Sequence, residues 1–223
     1  DLRTYGGHEW DFYGVAWNLA RLLKQGGVIV WVVADQTKDG NETGSSMRQA
    51  LHFQTLGLNL HDTMIYEKSG MAFPDSTRYH QTHEYMFVLT KGKLSTFNPI
   101  KDRKNKYTGA KGGNRRGGLC NRGEFGSRFN VWRYATGRDN SSKDREAFDH
   151  PAIFPEQLAR DHISSWSNEG DVVLDPFAGS GTTLKAAKEL ERRYVGIEVS
   201  PEYVGICRGR IAQEVLALDT QQS

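Results

Sequence analysis

Two acidic residues and a glycine-rich turn form the strongest chemical signal in the sequence. Asp175 ends a short apolar run, and Glu198 ends the next one, 23 residues later. Between them lies a segment that we name the glycine turn; it comprises Asp175, Pro176, Phe177, Ala178, Gly179, Ser180, Gly181 and Thr182. A strand, a tight glycine turn and a helix in this order let a ligand approach backbone N–H groups, and a second acid at about this offset commonly holds ribose hydroxyls. The spacing therefore predicts a site for an adenosine-type cofactor.

Several kinds of ligand site share such a turn. A phosphate-binding P-loop needs a lysine directly after its last glycine, whereas Thr182 follows Gly181 here. A dinucleotide site prefers a third glycine, and Leu184 occupies that place. An acid at Asp175 would oppose a pyrophosphate, but it suits a cation such as S-adenosylmethionine, which carries a sulfonium and an ammonium group. The alternative without a ligand is a plain strand-to-helix turn.

The elements that must position this turn follow from hydrophobic periodicity. Apolar runs predict strands, and apolar residues at helical spacing predict helices. The predicted strands are 28–34, 60–67, 83–90, 172–174 and 194–198, and the predicted helices are 12–23, 45–54, a helix that begins at Pro155, 182–192, and a helix capped by Ser200. Such alternation predicts an α/β fold with a Rossmann-like, doubly wound, mostly parallel sheet and helices on both faces.

Charge is concentrated in residues 101–145, which we name the basic segment. It holds thirteen lysines and arginines against four acids, a net charge of +9, although the whole chain has a net charge of only +2. It also contains eight glycines and five aromatic residues, which predicts a long irregular insertion. Such a composition favours contact with nucleic acid over a merely solvated loop.

Composition excludes several classes of protein. The longest apolar run has seven residues, far fewer than the roughly 20 that a membrane helix needs, and no signal peptide is visible. Cys120 and Cys207 have neither disulfide nor metal spacing, so we expect a reducing, cytoplasmic location. His80 and His83 have no third ligand at sensible spacing, and we expect no metal site. Trp10, near the start of the chain, is equally compatible with a base pocket and with the core.

Four segments together resemble one known family, the DNA amino-methyltransferases, which methylate N6 of adenine or N4 of cytosine. The glycine turn looks like the family's cofactor motif, and residues 150–158 are similar to the segment beside the methionine part of the cofactor. Residues 194–203 resemble the ribose-binding strand and its helix. Residues 83–91 look like the strand before target recognition. The resemblance implies S-adenosylmethionine as the cofactor, with Phe177 packed on it, Glu198 at the ribose, and Ala152, Phe154 and Pro155 at the methionine end.

The order of these segments resembles the family's permuted class. It implies three ranges: 1–94 and 148–223 as the two halves of the methyltransferase domain, and 95–147 as a basic target-recognition insertion. The family's catalytic Pro-Pro-aromatic loop is absent from this sequence, whose first residues resemble the stretch after that loop. The expectation is that the chain alone contains no catalytic residue and is inactive without that loop. Double-stranded DNA would contact the basic segment, with six candidate side chains: Lys111, Arg115, Arg116, Arg122, Arg128 and Arg133.

Two other functions stay open at this point. One is a non-catalytic DNA-binding remnant or subunit of such an enzyme, and the other is a nicotinamide-dependent oxidoreductase on a similar sheet. Further expected partners are a second copy of the chain and a cognate restriction endonuclease, with no membrane partner.

Overall fold

The computed structural model describes residues 10–69, 77–106, 111–113, 119–121, 123–135 and 155–212. The predicted site residues Ala152, Phe154, Arg115, Arg116 and Arg122 lie outside these ranges. The chain divides into two compact units, Asp1–Tyr134 and Ala135–Ser223, which are described separately below. No helix within the described ranges is long and apolar enough to cross a membrane.

A four-stranded sheet and two helices organise the first unit. The elements are α1 (Phe12–Leu22), β1 (Val28–Val33), β2 (Thr37–Lys38), β3 (Asn41–Glu42), α2 (Ser45–Thr55), β4 (Asn59–Lys68), β5 (His83–Thr90), β6 (Arg103–Lys104), β7 (Lys111–Gly113), β8 (Leu119–Asn121), β9 (Phe125–Gly126) and β10 (Val131–Tyr134). Asp11 caps α1 by accepting a hydrogen bond from the Gly14 backbone N–H at 2.9 Å. Every helix and strand predicted in this unit is present within a few residues.

The sheet is mixed, with the order β1-β5-β4-β10. Strand β5 pairs antiparallel with β1 and with β4, whereas β10 pairs parallel with β4. Three of the four strands therefore run in one direction, yet two of the three ladders are antiparallel. The predicted α/β class is confirmed, with a mixed sheet in this unit rather than a mostly parallel one.

The core of this unit lies between the sheet and its two helices. Phe12 and Ala16 of α1 pack with Phe53 of α2 and Leu89 of β5. Trp10 packs against the same cluster, and its ring stacks on Trp31 with centroids 6.3 Å apart. Of the two interpretations of Trp10, these contacts favour the core.

The part of the basic segment that the structure describes contains short strands, although its glycine content predicts irregular structure. Strand β6 pairs antiparallel with β9, and β7 pairs antiparallel with β8. Strand β10 also falls within the range 95–147 that was predicted as an insertion, but it pairs with β4 in the main sheet. Its alternation of exposed and buried residues, with Trp132 and Tyr134 buried, is the pattern of a strand with one face in the core.

The second unit contains the glycine turn between two parallel strands. Its described elements are α3 (Glu156–Trp166), β11 (Val172–Asp175), α4 (Thr182–Glu189), β12 (Arg193–Gly196) and α5 (Pro201–Ala212). Pro155 is the N-cap of α3 rather than its first helical residue. Helices α3 and α4 pack through alanines and Ile163, and Cys207 of α5 packs with Ala178 and Leu184. Strand, turn and helix thus follow in the predicted order.

Candidate functional site

The glycine turn is held between the two parallel strands by backbone hydrogen bonds. The Ile197 N–H donates to the Asp175 carbonyl at 2.9 Å, and the Ala178 N–H donates to the Ile197 carbonyl at 2.9 Å. The Gly181 N–H then closes the turn on the Ala178 carbonyl at 2.7 Å. Gly179 and Gly181 have φ angles of +51° and +83°, a region that glycine enters without steric cost. The glycines are therefore required by the path of the chain.

Close packing against α5 is a second reason why residue 181 must be glycine. A Cβ atom built on Gly181 would lie 2.5 Å from Cys207 Sγ and 3.2 Å from Cys207 Cβ. Gly196, beside the turn on β12, has a similar constraint, since a Cβ there would lie 3.1 Å from that of Ala178. Cys207 is buried, and burial raises the pKa of its thiol. The cysteine therefore packs the turn in its neutral form.

The two predicted carboxylates lie at the ends of neighbouring strands. Asp175 pairs with Gly196 in the parallel ladder, and Glu198 follows two residues later. Asp175 Oδ1 accepts a hydrogen bond from the Phe177 N–H at 3.0 Å. Glu198 accepts two, from the Gly179 N–H at 2.8 Å on Oε2 and from the Ser200 N–H at 2.8 Å on Oε1. The structure thus brings the glycine turn and Glu198 into direct contact.

One aromatic ring of the glycine turn is exposed, whereas the small side chains beside it are buried. Phe177 is 47% exposed, whereas Ala178, Ser180 and Thr182 are each less than 10% exposed. The turn is fixed by internal hydrogen bonds, so the exposed ring of Phe177 is held in place. A flat ligand can stack on such a ring.

Sequence reasoning missed one residue of this site, Arg210 of α5. Its side chain is fully buried and donates hydrogen bonds to Ser180 and Thr182. The amphipathic pattern gave a partial signal, because Arg210 lies three residues after the buried Cys207 and hence on the same face of α5. A search for apolar residues on that face passes over a charged side chain.

The predicted DNA-contacting residues differ in their surroundings. Arg128 donates to Asp102 Oδ2 at 2.8 Å and to the Tyr134 hydroxyl at 3.2 Å, and its guanidinium lies over the Trp132 ring. A hydrogen bond from Arg128 lowers the pKa of Asp102, and the positive charge of Arg128 adds to this shift. Arg128 therefore supports the fold of the basic segment, whatever else it contacts.

Arg133 is the most open of the described candidates. Its side chain is 71% exposed, and it pairs with Glu67 at 2.6 Å. Elsewhere in the basic segment, the Arg103 guanidinium lies 4.7 Å from the ring centroid of Phe129, which is 68% exposed. Only the backbone of Lys111 is described, as part of β7.

Two further predictions concern Pro155 and the histidines. Pro155 is buried where it caps α3. His83 is the first residue of β5, and His80 is exposed before it. Across the described ranges, no group of three or more His, Cys, Asp or Glu side chains could hold a metal ion.

Comparison with known proteins decides the family. The family described as DNA methylase, of the N6/N4 methyltransferase type, matches residues 5–208. The chain belongs to the DNA methylase family. It is also 51% identical over 230 residues to the orphan methyltransferase M.BamHII of Bacillus amyloliquefaciens, a match that covers 97% of this chain and 86% of that protein.

Solved structures agree with the fold of this DNA methylase. The PvuII DNA methyltransferase (cytosine-N4-specific) aligns with a TM-score of 0.70 at 18% identity, over 95% of this chain and 71% of its own. The M1.HpyAVI–SAM complex aligns with a TM-score of 0.62 at 25% identity, over 89% and 80%. The methyltransferase fold, the DNA amino-methyltransferase family and S-adenosylmethionine as the cofactor are confirmed. The permuted order, the three ranges and the roles of individual residues stay predictions.

Proposed function

We propose that this DNA methylase holds S-adenosylmethionine on the glycine turn and beside Glu198, for transfer of its methyl group to an exocyclic amine of adenine or cytosine in double-stranded DNA. The proposal rests on one observation above all. The turn joins the carboxyl end of β11 to α4, with two left-handed glycines and a carboxylate from the end of the next strand bonded to its backbone. Ligands of open α/β sheets bind at such carboxyl ends.

The side chains present fit this cofactor. Asp175 and Glu198 supply negative charge at adjacent strand ends, which favours a ligand with a sulfonium and an ammonium group and opposes a diphosphate. Glu198 uses one hydrogen bond on each oxygen, and a carboxylate has about four acceptor sites, so it can still accept bonds from ribose hydroxyls. Phe177 offers an exposed ring for the cofactor to cover.

When bound, the cofactor supplies a methyl group activated by its sulfonium. The described residues hold and orient that donor, which is most of what a direct transfer between two bound partners requires. The accepting base would be extruded from the duplex so that its amine becomes accessible. No Pro-Pro pair occurs in the sequence, and we assign no catalytic residue.

DNA contact is assigned to the basic segment, chiefly through charge. Its net charge of +9 suits phosphates, and Arg133 is open to solvent. Most protein–DNA contacts of this kind position the duplex without reading its sequence. A homodimer, a cognate restriction endonuclease and a cytoplasmic location remain predictions.

Calorimetric titration with S-adenosylhomocysteine tests the cofactor site directly. We expect saturable binding with one site per chain, and no binding of NAD, which is the control for the oxidoreductase alternative. Tight binding of NAD without binding of S-adenosylhomocysteine would overturn the proposal.

Methyl transfer is tested with the protein expressed from its own gene, labelled S-adenosylmethionine and double-stranded DNA. Nucleoside mass spectrometry then separates N4-methylcytosine from N6-methyladenine. Either product supports the proposal. Cofactor and DNA binding without any methylated nucleoside would favour the non-catalytic subunit instead.

A further inference from the structure

A fully buried arginine lies beneath the glycine turn. Arg210 of α5 has no exposed surface, although arginine is among the residues least often buried without partners. Burial of a guanidinium is unfavourable unless its donors are satisfied, so its contacts indicate what keeps it there.

Three of the hydrogen bonds of Arg210 end on the glycine turn. Nη1 donates to the Ser180 carbonyl at 2.7 Å, to Ser180 Oγ at 2.9 Å and to Thr182 Oγ1 at 3.2 Å. These two residues flank Gly181, whose φ of +83° sets the direction in which the chain enters α4. The arginine therefore fixes both sides of the left-handed position.

The other arm of the guanidinium reaches a different segment. Nη2 donates to Glu156 Oε1 at 3.0 Å, and the ammonium group of Lys185 lies 3.6 Å from the same oxygen. Glu156 is the first residue of α3 and directly follows Pro155. One rigid, planar group thus joins the glycine turn to the start of α3.

We propose that Arg210 is a positioning residue for cofactor binding, which holds the glycine turn in its binding geometry and couples it to Glu156 at the start of α3. This inference rests on the proposed function of the turn. It extends that function to a residue that lies beneath the turn and follows it by 28 positions or more. Lysine cannot take over the role, because one compact ammonium lacks the planar fork that reaches two directions at once.

The first test compares Arg210→Lys with Arg208→Lys, a matched change at an exposed position of the same helix. Affinity for S-adenosylhomocysteine is measured by calorimetry well below the midpoint of thermal unfolding. We expect the Kd of R210K to be about tenfold higher than that of the wild type, because hydrogen bonds to a charged donor are lost. The Kd of R208K should be unchanged. Equal affinity of R210K and the wild type would overturn the proposal.

Glu156→Gln gives a second, milder test in case R210K does not fold. It keeps the size of the side chain and an oxygen acceptor but removes the charge that faces Nη2. We expect a weaker Kd for the cofactor with a smaller change than in R210K. If E156Q binds as the wild type does, the coupling to α3 is wrong.

A purely structural role is separated from a positioning role by two readouts. A structural role would lower the unfolding temperature without changing the Kd of the folded protein. In methyl transfer assays, positioning predicts a raised KM for S-adenosylmethionine and an unchanged KM for DNA. Failure of the wild type to bind cofactor would overturn the proposed function itself. Failure of only the R210K and E156Q effects would overturn the assignment of Arg210.

Discussion

The thiol of Cys207 occupies the space that a side chain on Gly181 would need. The separation between Sγ and a Cβ built on Gly181 is 2.5 Å, which real Cβ contacts essentially never show. The φ of Gly181, +83°, is itself strained for any residue with a Cβ. Helix α5 and the glycine turn thus fit together only because the residue between them is glycine.

Gly181→Ala is expected to destabilise the protein through both effects. The left-handed conformation costs roughly 1–2 kcal/mol for alanine, and overpacking typically costs about 1–3 kcal/mol. We expect the free energy of unfolding, measured with urea, to fall by about 2–5 kcal/mol. Weaker binding of S-adenosylhomocysteine should accompany the loss.

The double variant Gly181→Ala/Cys207→Ala separates the two causes. Removal of Sγ relieves the closest contact but leaves the backbone conformation unchanged. Gly181→Ala should therefore lower the free energy of unfolding less in the C207A background than in the wild type. If the loss is equal in both backgrounds, the contact with Cys207 is not what restricts this position.

Glu198→Gln tests the carboxylate that braces the turn. Glutamine has only one oxygen to accept from the two N–H groups of Gly179 and Ser200. Its NH₂ group would therefore face the other N–H, and two donors would oppose each other. We expect a Kd for S-adenosylhomocysteine raised by roughly tenfold or more, because a hydrogen bond to a charged group contributes about 1.5–3 kcal/mol. Glu202→Gln, at an exposed position of α5, is the matched control.

An analogue without the ribose 2′-hydroxyl separates bracing from ribose binding. If Glu198 holds the ribose, the wild type should lose affinity for the analogue, and E198Q should lose little more. Equal losses in the two proteins would assign the ribose to another residue and leave Glu198 only its hydrogen bonds to the backbone of Gly179 and Ser200.

The sequence predicts the elements around the site better than the contacts that hold it. Apolar periodicity locates α1 and β1 within a residue or two, because apolar residues recur at helical spacing in α1 and run without interruption through β1. It also predicts the strand, turn and helix around the glycine turn. Helix α4 ends at Glu189, three residues before its predicted end, because Glu191 adopts a left-handed φ of +62°.

Contacts between distant residues could not be predicted in this way. Arg210 and Glu156 are 54 positions apart, and nothing in local spacing pairs them. Strand β10 was missed because glycine and charge dominate the basic segment around it, although the pattern Val-Trp-Arg-Tyr alternates as a strand does. Burial of a charged side chain is a property of the folded packing, and periodicity does not report it.

Arg133→Ala is expected to change how DNA affinity depends on salt. Each lysine or arginine that neutralises a phosphate adds about one unit to the slope of log K against log salt concentration. Arg133 is 71% exposed, so its loss should reduce the slope by about 1 for duplex DNA. Arg208→Ala, outside the basic segment, is the charge-matched control. An unchanged slope for R133A, or an equal change for R208A, would contradict this assignment.

A buried histidine in α3 predicts how stability depends on pH. His162 is 6% exposed, and its Nδ1 accepts a hydrogen bond from Trp166 Nε1 at 3.2 Å. Burial lowers the pKa of His162 from 6.5 to about 3, and the negative charge of Asp161 only partly opposes this shift. Histidine therefore stays neutral in the folded protein at pH values where it takes up a proton in the unfolded chain.

The direction of the effect follows from proton linkage. Between pH 6.5 and about 3, the unfolded state binds up to one proton more at His162 than the folded state does. The free energy of unfolding therefore falls by about 1.4 kcal/mol for each unit by which the pH is lowered. Above pH 6.5 the contribution is constant. The variant His162→Gln retains an acceptor for Trp166 but does not titrate at this position. When the pH is lowered from 6.5 to 4.5, its free energy of unfolding, measured with urea, should fall by about 2.5 kcal/mol less than that of the wild type. Any cost of the substitution itself appears as a constant offset at neutral pH. Parallel curves for H162Q and the wild type would mean that His162 is protonated in the folded protein.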